Sequence, residues 1–525
     1  MTGRFPASVD VAIVGSGPTG AAYARILSES APGVRIAMFE AGPIVSDPPG
    51  AHVKNIADPY ARARAQRASQ GPSADASTIS SPGAVTSGQR SGRPGTHLLQ
   101  AGFQAEGEDG LPVAAMSTNV GGMSAHWTGA CPTPRGSERI TFLPDLDELL
   151  GEAARLLGVT TNAFDGSPFA EIVRERLAVV VDEGREPGER VQRMPLAAHR
   201  RDDGNLVWSG SDVVLGEAAT NNPDFALYPE ALVTRVLLDG GGADGAAGAA
   251  GTGGAGAATG RARGVAVRDL RTGETTEVAA RFVIVAGDAL RTPQLLWASG
   301  IRPEALGRWL NDQAQIVFAA RLRGVEGLDA GQGASSTGLS EYSGVTWVPF
   351  TDEQPFHGQV MQLDASPVPL AEDDPVTPGS IVGLGLFCAK DLQASDRVEF
   401  SESDLDDNGM PAPSIRYTLT EKDHETFARA SERIVVLGRA VGELLNDRPF
   451  RLPLGSSLHY QGTTRMGVAD DGASVCDTNS EVWGAPGVLV AGNGVIPTST
   501  ACNPTLTSVA LAVRGARHIA SLLMS

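Results

Sequence analysis

A six-residue run, Gly15-Ser16-Gly17-Pro18-Thr19-Gly20, constrains the fold of this chain more than any other feature. It follows a short apolar run, residues 9–14 (VDVAIV), and precedes a stretch of helical character, AAYARILSES. A second apolar run, residues 34–39 (VRIAMF), ends at Glu40. Strand, glycine turn, helix and strand in this order predict a compact βαβ unit. Gly15 permits the tight turn, Gly17 lets the backbone approach a pyrophosphate, and Gly20 lets helix and strand pack closely. The helix N-terminus, with Ser16 and Thr19 beside it, offers free N–H groups and a positive dipole end to phosphate. Glu40 falls where a carboxylate holds the ribose hydroxyls of an adenosine. The unit therefore predicts a dinucleotide site. Taken alone, it does not separate FAD from NAD.

The remaining chain is long enough, at 525 residues, for two or more structural units. Residues 46–96 are rich in Ser, Gly, Pro and Ala and predict an irregular insert, either disordered or an active-site lid. As a lid it would bring Arg90 and Arg93 to a ligand. Residues 137–200 read as largely helical. FALYPEALVTRV (225–236) reads as a strand. With residues 261–268 it flanks a Gly/Ala-rich stretch that has no core-forming residues and reads as a flexible hairpin loop. RFVIVAG (281–287) is a further strand, and a helix follows at 293–299. Residues 313–420 alternate as strands do and predict an antiparallel sheet. Residues 421–446 read as helical. The last 70 residues return to α/β texture and close with a helix over roughly 505–521.

The balance of 42 basic against 61 acidic residues gives a net charge of -19 and argues against nucleic acid or an anionic membrane as the main partner. No apolar run approaches the ~20 residues of a membrane span. The N-terminus lacks the apolar stretch of a signal peptide. Cys131, Cys388, Cys476 and Cys502 are far apart and form no C-x-x-C, so free thiols in a cytoplasmic protein are expected, and no metal site.

Three further segments carry a resemblance. They are Ser117-Thr-Asn-Val-Gly-Gly-Met-Ser-Ala-His-Trp-Thr128, Leu458-His-Tyr-Gln-Gly-Thr-Thr-Arg-Met-Gly467 and Ala491-Gly-Asn-Gly-Val-Ile-Pro-Thr-Ser-Thr-Ala-Cys-Asn-Pro-Thr-Leu-Thr507. With the glycine turn, and in this order along the chain, they resemble the glucose-methanol-choline (GMC) oxidoreductases. Within these they are most similar to the branch of pyranose oxidases and bacterial glycoside (C-glycoside) 3-oxidases.

The resemblance implies an α/β fold: a Rossmann-like FAD-binding domain plus an α+β substrate domain with an antiparallel sheet. The FAD-binding domain would comprise residues 1–45, 97–135, 205–305 and 470–525. The substrate-binding domain would comprise 136–204 and 306–469, with 46–96 as the insert. FAD is then the implied cofactor. Gly121, Gly122, Met123, Ser124, His126, Trp127 and Thr128 would run along the flavin. His126 marks the place of a covalent link in some members. Ala125 stands where fungal pyranose oxidases have Thr, so non-covalent binding is expected and the link stays the alternative. Val233 would contact the adenine through its backbone, and Gly492 lies in the third segment. Asp288 and Leu290 depart from the family's small residues.

His459 and Asn503 match the family's catalytic pair. A neutral imidazole suits removal of a hydroxyl proton, and a neighbouring amide suits orientation of the substrate oxygen. Pro504 fits the first position of the closing helix, which begins with Thr505 and would favour negative charge at the flavin. Asn503 as the cap of that helix is the plainer reading. Gln359 and Gln362, in the segment His357–Asp364, are candidates for hydrogen bonds to sugar hydroxyls. The implied activity is oxidation of a C3 or C2 secondary hydroxyl of a pyranose or glycoside, with O2 reduced to H2O2. A dehydrogenase using a quinone or protein acceptor is the alternative, and a non-catalytic FAD-binding protein a third reading. A monomer is expected.

Overall fold

The computed structural model describes residues 3–69, 97–98, 103–202, 204–239, 259–325, 343–363 and 379–525. Its first sheet is built around Ser8–Val14, in which Val11, Ala12 and Ile13 are completely buried. A strand apolar on both faces fits only the interior of a sheet covered on both sides. Ile36–Phe39 and Thr275–Val285 flank it in parallel, and Phe225–Tyr228 adds in parallel outside Ile36–Phe39. The other edge of Thr275–Val285 serves two neighbours. Its first half pairs antiparallel with Ala262–Asp269, which in turn pairs with Ala231–Leu238. Its last residues pair in parallel with Val488–Val490.

The described α-helices are Pro18–Ser30 (α1), Pro59–Ala68 (α2), Leu146–Leu157 (α3), Pro168–Val181 (α4), Ser211–Thr220 (α5), Arg291–Ala298 (α6), Glu421–Val441 (α7) and Thr505–Met524 (α8). Helix α1 packs on α8 and α5, and α3 packs on α8. Small side chains let α1 and α8 approach closely. A Cβ on Gly515 of α8 would stand 1.9 Å from the Tyr23 hydroxyl of α1.

The second sheet is antiparallel. Ala314–Leu322 pairs with Ile381–Cys388, then Phe356–Leu363, then Gly344–Val348, with Gln192–Arg193 at that edge. Gly442–Leu444 and Phe450–Arg451 pair on the other side of Ala314–Leu322. Alternation along these strands sorts the side chains. Phe318, Val360 and Leu384 enter one core with Phe427, Ile434 and Leu437 of α7. Gln359 and Phe387 point the other way, to Asn503 and His459. A separate hairpin, Arg397–Leu405 with Pro411–Arg416, reaches back towards α6, where Asp406 pairs with Arg291 at 2.7 Å. The class is the expected one: a Rossmann-like α/β layer joined to an α+β unit with an antiparallel sheet.

Several expectations need correction. The 46–96 insert is not irregular throughout. Asp58 caps and Pro59 opens α2, a favourable helix start that the surrounding Ser/Gly/Pro texture hides. Residues 70–96, with Arg90 and Arg93, lie outside the described residues. FALYPEALVTRV is two strands, broken at Pro229-Glu230, where Glu230 turns to φ 51°. Within 137–200 only α3 and α4 are α-helical; Gln192–Arg193 and Ala198–Arg200 are strands. Helix α7 stops at Val441, and the chain continues as a strand of the second sheet.

Candidate active site

One cavity runs along the C-terminal ends of the parallel strands, the usual ligand position in such sheets. At one end lies the glycine turn. Gly15 holds φ 102°, and a Cβ there would meet the Ala286 carbonyl at 2.4 Å. A Cβ on Gly20 would meet the Gly15 carbonyl at 2.2 Å, so strand and helix touch there. A Cβ on Gly17 would meet nothing within 4 Å. The space over Gly17 is thus open where phosphate would sit, while the first turn of α1 supplies unpaired backbone N–H groups.

Glu40 is buried beside this turn. Its carboxylate accepts from the Ser16 backbone at 3.1 Å, the Ser16 hydroxyl at 2.7 Å and the Gly42 backbone at 2.9 Å. Burial nevertheless raises its pKa against the pull of these donors. The Ser16 hydroxyl also accepts from Gly121 N at 3.0 Å, tying the turn to the Gly121–Thr128 segment. That segment is a tight turn: Gly121 holds φ 95°, and the Ser124 hydroxyl donates to the Gly121 carbonyl at 2.7 Å. His126 Nε2 lies 2.6 Å from the Ser117 hydroxyl. The Trp127 indole donates to the Ser209 carbonyl at 2.9 Å.

The far end of the cavity holds His459 and Asn503. Four side chains there fix one another's hydrogen-bond direction. Gln313 Nε2 lies 2.8 Å from the Cys502 carbonyl. A carbonyl only accepts, so this contact orients the Gln313 amide. Its Oε1 is then left to accept from His459 Nδ1 at 2.8 Å. A neutral imidazole with hydrogen on Nδ1 carries its lone pair on Nε2. Asn503 Nδ2 donates to that Nε2 at 3.2 Å, and Asn503 Oδ1 accepts from Gln359 Nε2 at 2.6 Å. The tautomer of His459 thus follows from a backbone carbonyl.

Asp312 secures the backbone beneath the ring. It accepts from Gly455 N and His459 N, both at 3.2 Å, and from the Ser457 hydroxyl. This clamp surrounds Leu458, a non-glycine residue at φ 64° directly before His459. Such a backbone persists only where its surroundings over-determine it. Burial pushes the Asp312 carboxyl up to about 6. Phe387 covers the outer face of the imidazole, ring centres 5.4 Å apart.

Of the residues singled out in the sequence, Gly15, Ser16, Gly17, Thr19, Glu40, Gly122, Met123, Ser124, His126, Trp127, Thr128, Val233, His459, Gly492, Asn503 and Thr505 line this cavity. Gly20, Gly121 and Pro504 do not line it. Gly20 serves packing, Gly121 lies against Gly50, and Pro504 stands at the N-cap of α8 rather than inside its first turn. The Asn503 side chain is turned to His459 and Gln359 instead of capping α8. Gln359 is one step behind the cavity wall, bonded to Asn503. Gln362 lies on the opposite face of its strand, towards Gly344 and Ala170 of α4, and a β-strand's period of two allows nothing else.

Asp312 and Gln313 escaped the sequence reading. Their signal was a polar triplet, Asn311-Asp312-Gln313, opening an apolar strand; all three are buried. Arg291, Gln294, Asn408, Met410 and Asn493 also line the cavity unforeseen. The unusual Asp288 accepts from Leu290 N and Arg291 N, at 2.7 and 2.9 Å, and so opens α6.

Comparison with known proteins gives one consistent picture. Profiles described as GMC oxidoreductase match residues 202–315 and 394–512. A C-glycoside 3-oxidase of Microbacterium trichothecenolyticum is 68% identical over 519 residues, covering 98% of this chain and 97% of that protein. A pyranose 2-oxidase of Tricholoma matsutake is 31% identical over 560 residues, covering 98% of this chain and 94% of that protein. Among solved structures, pyridoxine 4-oxidase from Mesorbium loti shares the fold, with a TM-score of 0.66 at 21% identity, over 97% of this chain and 99% of that one.

Proposed function

The chain belongs to the GMC oxidoreductase family, and from that premise we propose that it oxidises the C3 hydroxyl of a pyranoside, C-glycosides included, with His459 as the base. It is an FAD-dependent oxidoreductase acting on the hydroxyl of a sugar or glycoside. The observation that supports His459 as the base is its Nε2, left without a hydrogen by the Gln313 contact and set in the cavity beside the Asn503 amide; the C3 position is supported by the likeness to C-glycoside 3-oxidases.

The residues present fit FAD. The open space over Gly17 and the N-terminus of α1 suit the pyrophosphate. Glu40 suits the ribose hydroxyls, and Val233 the adenine side. Met123, His126, Trp127 and Thr128 suit the flavin wall, and Thr505 sets the start of α8 at the cavity. When bound there, FAD supplies the acceptor for the hydride that leaves the substrate carbon.

The protein's own share is proton transfer and alignment. His459 Nε2 takes the hydroxyl proton once the substrate hydroxyl displaces the Asn503 N–H from it, and Gln313 Oε1 steadies the ring as its charge rises. Asn503 Nδ2 offers its second hydrogen to the substrate oxygen, where negative charge develops. Gln359, bonded to Asn503 Oδ1, keeps the nitrogen of that amide on the side of the reacting oxygen. Non-covalent binding of FAD is part of this reading. So are a monomeric state and a cytoplasmic location, the latter in keeping with four free cysteines. Molecular oxygen is the proposed acceptor. The test is anaerobic bleaching of the flavin by a panel of sugars, O-glycosides and C-glycosides, with product regiochemistry by NMR. The account expects 3-keto products; oxidation at another carbon, or no bleaching by any glycoside, overturns it. Reoxidation by oxygen no faster than background, with rapid reoxidation by benzoquinone, would reassign the acceptor.

A further inference from the structure

Glu138 is buried, does not line the cavity, and yet touches the turn that carries the catalytic amide. It ends the short helical turn Gly136–Glu138. Its Oε1 accepts from Ala501 N at 2.7 Å and Cys502 N at 2.9 Å, and its Oε2 from Arg135 N at 2.9 Å. The Cys502 thiol faces it as well and favours the ionised form. Every partner is a donor, which suits a carboxylate that only accepts. A protonated carboxyl would turn one oxygen into a donor facing an N–H.

Ala501 and Cys502 immediately precede Asn503. The Cys502 carbonyl is also the acceptor that orients Gln313, and through it the His459 ring. One carboxylate therefore sits behind both members of the catalytic pair. We propose that Glu138 is a positioning residue whose ionised carboxylate holds the Ala501–Cys502 turn in the shape that aligns Asn503 and, through Gln313, His459. Protonation of Glu138 loosens that turn and sets a lower pH limit on the reaction, owned by a group that never meets the substrate.

Burial raises the Glu138 carboxyl to about 7 against the pull of its donors. The groups facing it are few. Arg135, on its own turn, is half-buried, with Glu189 beside it. Asp352 accepts from Ser137 N at 3.0 Å on the outer side. From the 501–502 turn comes only the Cys502 thiol, whose own pKa burial pushes up. The active form is thus the ionised one, present above about 7 and lost as pH falls.

The inference rests on His459 and Asn503 being the catalytic pair, which His459→Ala tests separately in the same assay. The experiment follows anaerobic flavin reduction in the holoenzyme against pH, using the most active sugar of the panel. An infrared titration for the carbonyl stretch of a buried protonated carboxyl runs alongside. In the wild type the reduction rate is expected to fall with pH through about 7 while the substrate Kd stays constant. A carboxyl band should appear with the same midpoint. Glu138→Gln should lower the high-pH rate by on the order of 10²-fold, the scale of a misaligned reacting pair, should lack the band, and should keep only the limb of the His459 imidazole, displaced from the wild-type midpoint. An unchanged limb in Glu138→Gln, or a wild-type limb without a carboxyl band, overturns the proposal. Should Glu138→Gln fail to fold, Cys502→Ala removes one donor and should move the limb to higher pH; an unmoved midpoint overturns the proposal equally.

Discussion

His459 can act as a base because its hydrogen sits on the far nitrogen, and Gln313 keeps it there. Gln313→Leu leaves a buried N–H without its acceptor, a loss of about 1–3 kcal/mol. Flavin reduction should slow by roughly 10- to 100-fold with little change in substrate Kd, which stopped-flow reduction under anaerobic conditions would resolve. His357 illustrates a different residue-scale effect. It is completely buried, tilted against Phe387 with ring centres 5.2 Å apart, and burial holds its pKa down to about 3. The unfolded chain binds this proton below an ordinary value of about 6.5, whereas the folded chain refuses it to about 3. The associated stability is therefore whole above about 6.5 and shrinks as pH falls, by about 2 kcal/mol at pH 5. Glu138 and Asp312, with raised values, act in the opposite sense. The prediction is accordingly differential: the Tm of His357→Phe should fall less on acidification than that of the wild type. His459 and Asn503 were legible because their motifs resemble a family. Gln313 was not, since it meets His459 across 146 residues of sequence, and no local pattern encodes such a pairing.

At the scale of elements, the glycine turn and the strands around it were legible because buried parallel strands write themselves as unbroken apolar runs. Breaks inside a uniform texture were not. Pro229-Glu230 interrupts an apolar stretch without changing its character, and α2 hides among loop-forming residues. Two elements carry testable weight. The contact of α1 with α8 depends on Gly515. Gly515→Ala drives a methyl into the buried Tyr23 hydroxyl, and overpacking of this kind costs about 1–3 kcal/mol. A lower Tm by calorimetry is expected. The start of α7 depends on a buried ion triad: Lys390 lies 3.0 Å from Asp396 and 2.9 Å from Asp423, the residue that closes the α7 capping box. Lys390→Met abandons two carboxylates in the interior, and losing one partner of such a group costs about 3–5 kcal/mol. Chemical denaturation should show a midpoint lowered accordingly.

The whole molecule places chemistry where its two sheets meet. The parallel sheet supplies the glycine turn and Glu40. The antiparallel sheet supplies Gln359 and the Phe387 wall, and Gln313 stands just before its strand Ala314–Leu322. The turns Ser457–Tyr460 and Thr500–Asn503 bring His459 and Asn503, the proposed reacting groups, between them. Because the cavity draws residues from both halves of the chain, FAD binding should stabilise the whole rather than one part. Loss of flavin should lower Tm in a single transition, observable by comparing holoenzyme with flavin-stripped protein. The class of architecture was readable from the sequence, since α/β and antiparallel textures alternate along the chain. How the halves meet was not, because interface contacts such as Asp406–Arg291 follow no period. The central claim is that this meeting place positions His459 Nε2 to take a hydroxyl proton. The most direct measurement is the rate of anaerobic flavin reduction by an active glycoside in His459→Ala, with flavin content verified. The account predicts a fall of at least ~100-fold; a rate equal to the wild type would contradict it.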